Sequence, residues 1–563
     1  MIISLLSVVL ASLQPSPLES HRVEAVADEV FIPLVEGTSP GYAVAVISEG
    51  ELIFQGSYGL ADLEHRVEID DRSRFYIASM SKQFTAGILA QLALEDRIDL
   101  EASIRDYVEG LPEVYEPVTV ADCLYHTGGV REYTSLILMR GNAPSGEDAL
   151  TQAQALHLIR SQTGLDFEPG TQVRYSSSGY VLLTAAIEAI EGRPLRESAQ
   201  ARLFAPLGMG ATHFDDDHSE IVPGRVRGYQ ARPESEGGGW RRWLKHFEVV
   251  GDGGLVTTLE DFAAWEAELR SGHTFGEAWR DLMLERDSLS NGAPNEFAMG
   301  QWYGVHDGRD IIAHGGFLGG YLSDQIHVPS ADLTVLVFSN RNDGPVAWRF
   351  LSELLGPSTQ AAQSPGSDSD PVPSLAPESA SAWTGAYFLD TRNNRRFVRL
   401  DEDGRLTWRD GGDNFAGFME FIGEDRYQLP GGAIVEFLQR DGQRFLSLEA
   451  ETYAYEGVWY EDEPPSQASD LAGFVGRYES EELETWVEFT LNEGVFSMRY
   501  PGGEPQRLWP IADDPRVTWN KSDAVWSGLA MIKFRTGEEG RATYLEMGDG
   551  RVSNVRFDRR DMP

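Results

Sequence analysis

Cysteine is almost absent from this chain. Cys123 is the single one among 563 residues, so no intramolecular disulfide forms and no cysteine pair is available for zinc. It sits in an apolar stretch (VADCLYHTGG) and reads as a buried small hydrophobe. Lysine is scarce as well: of 47 basic residues only Lys82, Lys245, Lys521 and Lys533 are lysines. Lysine can shed its proton when desolvated and arginine does not, which singles out a lysine kept inside a motif. Histidine is missing from the whole C-terminal part, all 11 lying between His21 and His327. Chemistry that needs a base near neutral pH therefore belongs to roughly the first 350 residues. Positive charge is outweighed throughout, giving a net charge of −42. Such a surface repels phosphate backbones and anionic lipid, so nucleic acid and membrane-surface partners are excluded. HExxH and P-loop motifs are also absent, and neither a metal nor an organic cofactor is expected.

What is present is ample apolar material, 41% of residues, enough for packed cores. At roughly 150 residues per domain, three or four domains are expected. The N-terminus (MIISLLSVVLASLQP) has an apolar run from Ile2 to Leu13. That run is too short to span a bilayer and fits a signal-peptide core, although no basic residue precedes it. Residues 1–18 are read as a signal peptide, with no cysteine for a lipid anchor, and the destination as periplasmic or secreted. Residues 19–35 carry an amphipathic helical pattern. GYAVAVIS, Glu49-Gly50 and ELIFQGSYG read as a β-hairpin. Phe84, Ile88, Leu89 and Leu92 follow helical spacing. Strand patterns return in DIIAHGG, YLSDQIHV and LTVLVFSN, and a helix is expected at about 345–355. Strands from both ends with helices between predict one α+β domain over 19–356, an antiparallel sheet with helices on its faces and a helical insertion.

Residues 357–381 are rich in Pro, Ser, Ala and Asp and read as a linker. A repeat follows. Trp383-Thr-Gly385-Ala-Tyr387 matches Phe474-Val-Gly476-Arg-Tyr478, 91 residues further on. FVRLDEDGRLTW matches WVEFTLNEGVFSM, and FIGEDRY at 421–427 echoes WPIADDPRV at 509–517. Two tandem antiparallel barrels are expected, over 382–466 and 467–563.

The chemistry starts at Ser79-Met80-Ser81-Lys82, the sole S-x-x-K in the chain. At i and i+3 on a helix both side chains share one face, and a lysine there can activate the serine hydroxyl. By itself the motif is equally a helix cap with a solvated lysine. A second element is Arg174-Tyr175-Ser176-Ser177, ahead of the apolar helix VLLTAAIEAIEG. A phenol near a lysine shuttles protons. The third is His314-Gly315-Gly316-Phe317 on a strand, where glycines admit close backbone approach. The N–H groups of Phe317 and Ser79 are candidate oxyanion donors.

S-x-x-K, Tyr-x-Ser and His-x-Gly, in this order, resemble the serine β-lactamase and penicillin-recognising family, in the branch that holds class C enzymes, D-aminopeptidases and D,D-peptidases. LYHTGG at 124–129, FAPLGM at 204–209 and GGLVTTLED at 253–261 add to the likeness, which covers about residues 25–345. The resemblance implies Ser79 as nucleophile, Lys82 as its base, Tyr175 as general acid/base, and Ser177, His314, Gly316 and Phe317 as substrate-binding or oxyanion groups. It also implies that the two C-terminal barrels are lipocalin-like, as in three-domain D-aminopeptidases, where a barrel loop helps shape the active site. Ser177 stands where the family usually has Asn, and His314 where it often has a carboxylate-holding Lys. Both departures point away from an efficient β-lactamase or carboxypeptidase and towards peptide or ester substrates, with a peptide-type amide as the leading expectation. An esterase, a weak β-lactamase and a non-catalytic binding protein are the alternatives. A small-molecule or peptide substrate is the expected partner, and the oligomeric state is left open.

Overall fold

The computed structural model describes residues 20–356 and 384–560, apart from 36, 142–148, 233–236, 245–246, 343 and 345 in the first stretch and, in the second, several turns between 390 and 467 together with 512–513, 521–530, 538–540 and 549–550. The expected signal peptide and the 357–381 linker lie outside the described residues.

The hairpin forms as the sequence predicts. Strands β1 (Tyr42–Ser48) and β2 (Glu51–Tyr58) are joined by Glu49 and Gly50. Both turn residues have positive φ (52° and 77°), the backbone that two-residue hairpin turns require. The strands from the far end, β3 (Trp302–His306), β4 (Arg309–Leu318), β5 (Tyr321–Val328) and β6 (Leu333–Ser339), complete one sheet in the order β3-β4-β5-β6-β1-β2. The chain ends of the domain meet at β1 and β6, where Tyr42 pairs with Ser339 and Ser48 with Leu333.

Along β1 the side chains alternate between two cores, as a period of two dictates. Val44 and Val46 face a layer that holds Phe31 and Phe350, from helices α1 (Ser20–Phe31) and α7 (Val346–Leu355). Ala43, Ala45 and Ile47 face the large helical core. At its centre lies α2 (Lys82–Leu94), whose Phe84, Ile88, Leu89 and Leu92 are all fully buried. Phe84 stacks on Trp265 of α5 (Leu259–Ser271), ring centroids 4.2 Å apart. The other helices that position the site are α3 (Tyr133–Arg140) and α4 (Ser177–Glu191), with α6 (Glu277–Leu284) packed on α2.

The remainder is β-rich in both copies of the repeat. Eight strands from Gly476–Ser480 to Val555–Arg560 close into a barrel, the first pairing with the last at Arg477 and Arg560. Its interior is filled by Tyr478, Phe489, Phe534, Leu545 and Phe557 among others. Over 382–466 the strands make one continuous antiparallel system. Nine strands there form a single antiparallel sheet whose ends, Phe415–Phe418 and Glu420–Gly423, are neighbours in the chain but not partners. One residue, Met419, separates them, and its N–H goes to the Leu406 carbonyl; Phe415–Phe418 pairs with Leu406–Arg409 and Glu420–Gly423 with Arg426–Gln428, so one kinked segment borders both ends of the sheet.

The closed barrel docks on the first domain through α3. Leu136 and Met139 of that helix are fully buried in the barrel's own core. Each such side chain contributes about 1.5–3 kcal/mol relative to exposure. Beside them Arg131 donates to Glu482 Oε2 (2.9 Å) and to the Asn554 carbonyl (3.3 Å).

Candidate active site

Ser79 lies on a 3₁₀ turn, Ala78–Ser81, that leads into α2. Ala78 has φ = 46°, a left-handed backbone that is costly for a residue with a Cβ and typical of functional turns. The turn is tied down on both sides. Ser81 Oγ accepts the Leu255 N–H (3.0 Å), and the Ile77 N–H donates to the Leu255 carbonyl (3.0 Å). Strand β4 presses against it, and only glycine fits at the contact. A Cβ at Gly316 would fall 2.0 Å from the Ile77 carbonyl oxygen. The glycine pair of the third motif is therefore what brings that strand to the Ser79 turn.

Lys82 is fully buried beneath the turn. Its Nζ donates to the Asp252 carbonyl (2.6 Å) and to Ser177 Oγ (3.3 Å), and lies 4.8 Å from the centroid of the Tyr175 ring. These described hydrogen bonds do not include one to Ser79 Oγ, so the direct Ser–Lys bond expected from the i, i+3 spacing is replaced by a bridge to Ser177. That engages the Ser177 hydroxyl internally, rather than leaving it aimed at a substrate amide.

Tyr175 is held by His126. The Arg174 N–H donates to the His126 carbonyl (2.9 Å), the Ser176 N–H donates to His126 Nδ1 (3.2 Å), and the imidazole packs on the phenol ring at 4.4 Å. His126 adopts φ = 61° to do this, and burial holds its pKa well below the usual imidazole value, so the ring is neutral. The Tyr175 hydroxyl is enclosed and has no hydrogen-bond partner among the described residues.

His314 is also buried, and burial followed by the charge on Lys82 lowers its pKa to about 4. Its Nδ1 meets the Gly315 carbonyl at 2.7 Å. A stability consequence follows from the sign. Above its ordinary value of 6.5 the ring is neutral folded or unfolded; between about 6.5 and about 4 only the unfolded chain takes up the proton. Stability is thus lost as pH falls through that window, by about 3 kcal/mol from this one group. Thermal unfolding at pH 7 and pH 4.5 should show a smaller acid-induced drop for His314→Asn than for the wild type.

Ser79, Tyr175, Ser177, His314, Gly316 and Phe317 line one cavity of about 630 Å³, with Lys82 directly behind it. The wall is largely apolar, with Ile137, Trp243, Phe247, Phe297, Trp302 and Trp348. Three contributors were not singled out from the sequence. His126 stood inside the LYHTGG stretch. Asp252 stands one residue before GGLVTTLED; its Oδ2 accepts the Tyr133 hydroxyl (2.9 Å). Burial pushes its carboxyl upward against the pull of Lys82. Arg551 reaches in from the barrel, its guanidinium 5.6 Å from the Tyr175 ring centroid. The loop that carries it is pinned by Ser553, whose N–H donates to Asp166 (2.8 Å) and whose Oγ accepts from Arg174 (2.8 Å). A further serine, in the Gly37-Thr38-Ser39-Pro40-Gly41 pentapeptide, fits the nucleophile-elbow pattern G-x-S-x-G. Ser39 is buried outside this cavity with its Oγ on the Pro40 carbonyl, ahead of a strand rather than after one.

This fold and this constellation of Ser, Lys, Tyr and a glycine-bearing strand define a serine hydrolase. The chain belongs to the beta-lactamase family, whose model matches residues 25–355. It is 24% identical over 529 residues to a D-aminopeptidase of Brucella anthropi, covering 92% of this chain and 95% of that protein. A D-aminopeptidase of Gluconobacter oxydans is 30% identical over 302 residues, covering 54% of this chain and 56% of that protein. Among solved structures, the octameric penicillin-binding protein homologue from Pyrococcus abyssi superposes with a TM-score of 0.51 at 20% identity, over 78% of this chain and 99% of that one. The D-amino acid amidase from Ochrobactrum anthropi SV3 gives 0.50 at 20% identity, over 59% and 97%.

Proposed function

We propose that this protein hydrolyses peptide-type amides of amino acids through an acyl-enzyme, in the manner of a D-aminopeptidase or D,D-peptidase. The observation that carries the reading is the meeting of Ser79, the buried Lys82 and the enclosed Tyr175 hydroxyl at one end of a cavity with an apolar wall. Ser79 Oγ attacks the carbonyl carbon and its proton passes to the Lys82–Tyr175 pair. The same pair returns a proton to the departing amine, and water then releases the acyl group with regeneration of the serine. The N–H groups of Ser79 and Phe317 would hold the oxyanion. The aromatic side chains of the wall favour a substrate with a bulky apolar side chain.

The binding-protein alternative loses its main support in the closed barrel, whose interior is filled by side chains of its own strands together with Leu136 and Met139 of α3. The lipocalin likeness is retained as a proposal of topology for both β-rich segments, without a ligand inside the second. Periplasmic or secreted action is proposed on the apolar leader. The test is a substrate panel: a D-alanine anilide, a short-chain nitrophenyl ester and a chromogenic cephalosporin. Turnover of the anilide with slow cephalosporin cleavage is expected. An enzyme that cleaves only the ester is an esterase, and rapid cephalosporin hydrolysis would overturn the significance given to Ser177 and His314.

A further inference from the structure

We propose that Asp166 is a positioning residue for Tyr175: its carboxylate clamps the segment that presents the tyrosine to the barrel loop that carries Arg551, and uptake of a proton releases the clamp. This rests on the hydrolase reading above, in which Tyr175 moves the proton, and adds a control on that step from the barrel.

Asp166 stands nine residues before Tyr175, with its side chain 1% exposed. Its own backbone is fixed. The Asp166 N–H donates to the Gly129 carbonyl (2.8 Å), and a Cβ at Gly129 would fall 2.3 Å from the Phe167 carbonyl oxygen. The 166–175 segment therefore lies directly on the stretch that holds His126. From the barrel, the Ser553 N–H donates to Asp166 Oδ1 (2.8 Å). Arg174 Nη1 lies 3.1 Å from Oδ2 and also donates to Ser553 Oγ (2.8 Å). Carboxylate, guanidinium and barrel loop thus hold one another across the domain boundary. Both outer members reach the phenol. Arg174 directly precedes Tyr175, and Arg551, two residues from Ser553, stands over its ring.

The charges around Asp166 are Arg174, Arg131 (Nε at 3.6 Å) and Glu482, which Arg131 holds at 2.9 Å. The buried Tyr115 is also near, but its hydroxyl donates to the Ile159 carbonyl. Burial outweighs the pull of the two arginines and lifts the Asp166 carboxyl from 3.8 to about 6. The sign of the shift matters. The folded protein takes up this proton before the unfolded chain does, so the group adds stability below about pH 6. Acid then neutralises the clamp while the fold stands. A neutral carboxyl binds a guanidinium and an N–H less firmly than a carboxylate does. His126 and His314, the imidazoles packed against Tyr175, are held neutral through this range by burial, so the response is not theirs.

Hydrogen exchange read by mass spectrometry tests the clamp in the wild type without turnover. After correction for intrinsic pH dependence, amides of 551–556 and 172–176 are expected to lose about fivefold in protection between pH 7.5 and pH 5, with the barrel strands unchanged. Equal protection at the two pH values overturns the proposal. Asp166→Asn is the second arm. It should exchange at the acid-form rate at both pH values and melt within a few degrees of the wild type. On the D-alanine anilide its kcat should fall about tenfold with KM nearly constant, and the acid limb that the wild type shows near pH 6 should be missing. Wild-type kcat in Asp166→Asn, an acid limb that persists in it, or a loss of kcat that comes with collapse of the fold each overturns the proposal. A wild type that cleaves nothing in the panel fails the hydrolase reading instead, and the exchange comparison still judges the clamp.

Discussion

Replacing Ser79 with Ala is expected to lower kcat by about 10⁴-fold or more on every substrate the protein turns over, because a covalent route has no substitute for its nucleophile. The same change should leave the melting temperature almost untouched. Ser79 is only partly buried, and the turn that holds it is built from the backbone of Ile77, from Ser81 Oγ and from Leu255, none of which needs the Ser79 hydroxyl. Intact-mass analysis gives the second readout. An acylating penicillin or a phosphonate should add one adduct to the wild type and none to Ser79→Ala. Full activity in Ser79→Ala, or an adduct that persists in it, would remove Ser79 from the mechanism. Ser39, the other serine in a nucleophile-like pattern, serves as the contrast, since its side chain is committed to Pro40 and Arg341 and lies away from the cavity.

Those expectations can be stated because part of the site is local in the chain. Ser79 and Lys82 are three residues apart, Tyr175 and Ser177 two, and His314 to Phe317 consecutive. Each group needs only one turn, one helix entry or one strand to be placed, and patterning reads such elements well. What was not legible is what depends on distant segments meeting. The spacing of Ser79 and Lys82 suggested a direct bond, yet Lys82 Nζ goes to Ser177 and Asp252, residues 95 and 170 positions away. His126 is unremarkable in sequence; its role arises because its backbone and ring bracket Tyr175 from another loop. In the repeat the strand-rich segments were legible, but that Phe415–Phe418 and Glu420–Gly423 pair with different neighbours on either side of Met419 depends on register, which no local pattern encodes.

The second large effect is expected at the junction of barrel and catalytic domain. Arg131 is almost completely buried there and faces two carboxylates, Glu482 at 2.9 Å and Asp166 at 3.6 Å. Removing its charge while keeping its length, as in Arg131→Met, leaves those carboxylates without their shared cation. Removal of one partner from a buried ion pair typically costs about 3–5 kcal/mol. Some compensation remains, because Arg174 still pairs with Asp166 (3.1 Å) and Glu482 still accepts from the Thr163 hydroxyl (3.2 Å). The loss should nevertheless reach the active site. Asn554, to which Arg131 also donates, and Ser553, which bonds to Asp166, belong to the loop that carries Arg551 over Tyr175. The α3 face opposite the barrel lines the cavity with Ile137, while Leu136 and Met139 plug the barrel. Loosening the dock therefore disturbs Tyr175 and the apolar cavity wall together. Arg131→Met is expected to melt several degrees lower, to be cut faster by a protease between the domains, and to lose kcat/KM by tenfold or more. Adding Glu482→Met should recover part of the stability, because the buried charge that Arg131 leaves behind is then gone. A variant that keeps wild-type melting and activity would show that the barrel is held by the Leu136 and Met139 plug alone, with the ion cluster contributing nothing to the placement of Tyr175.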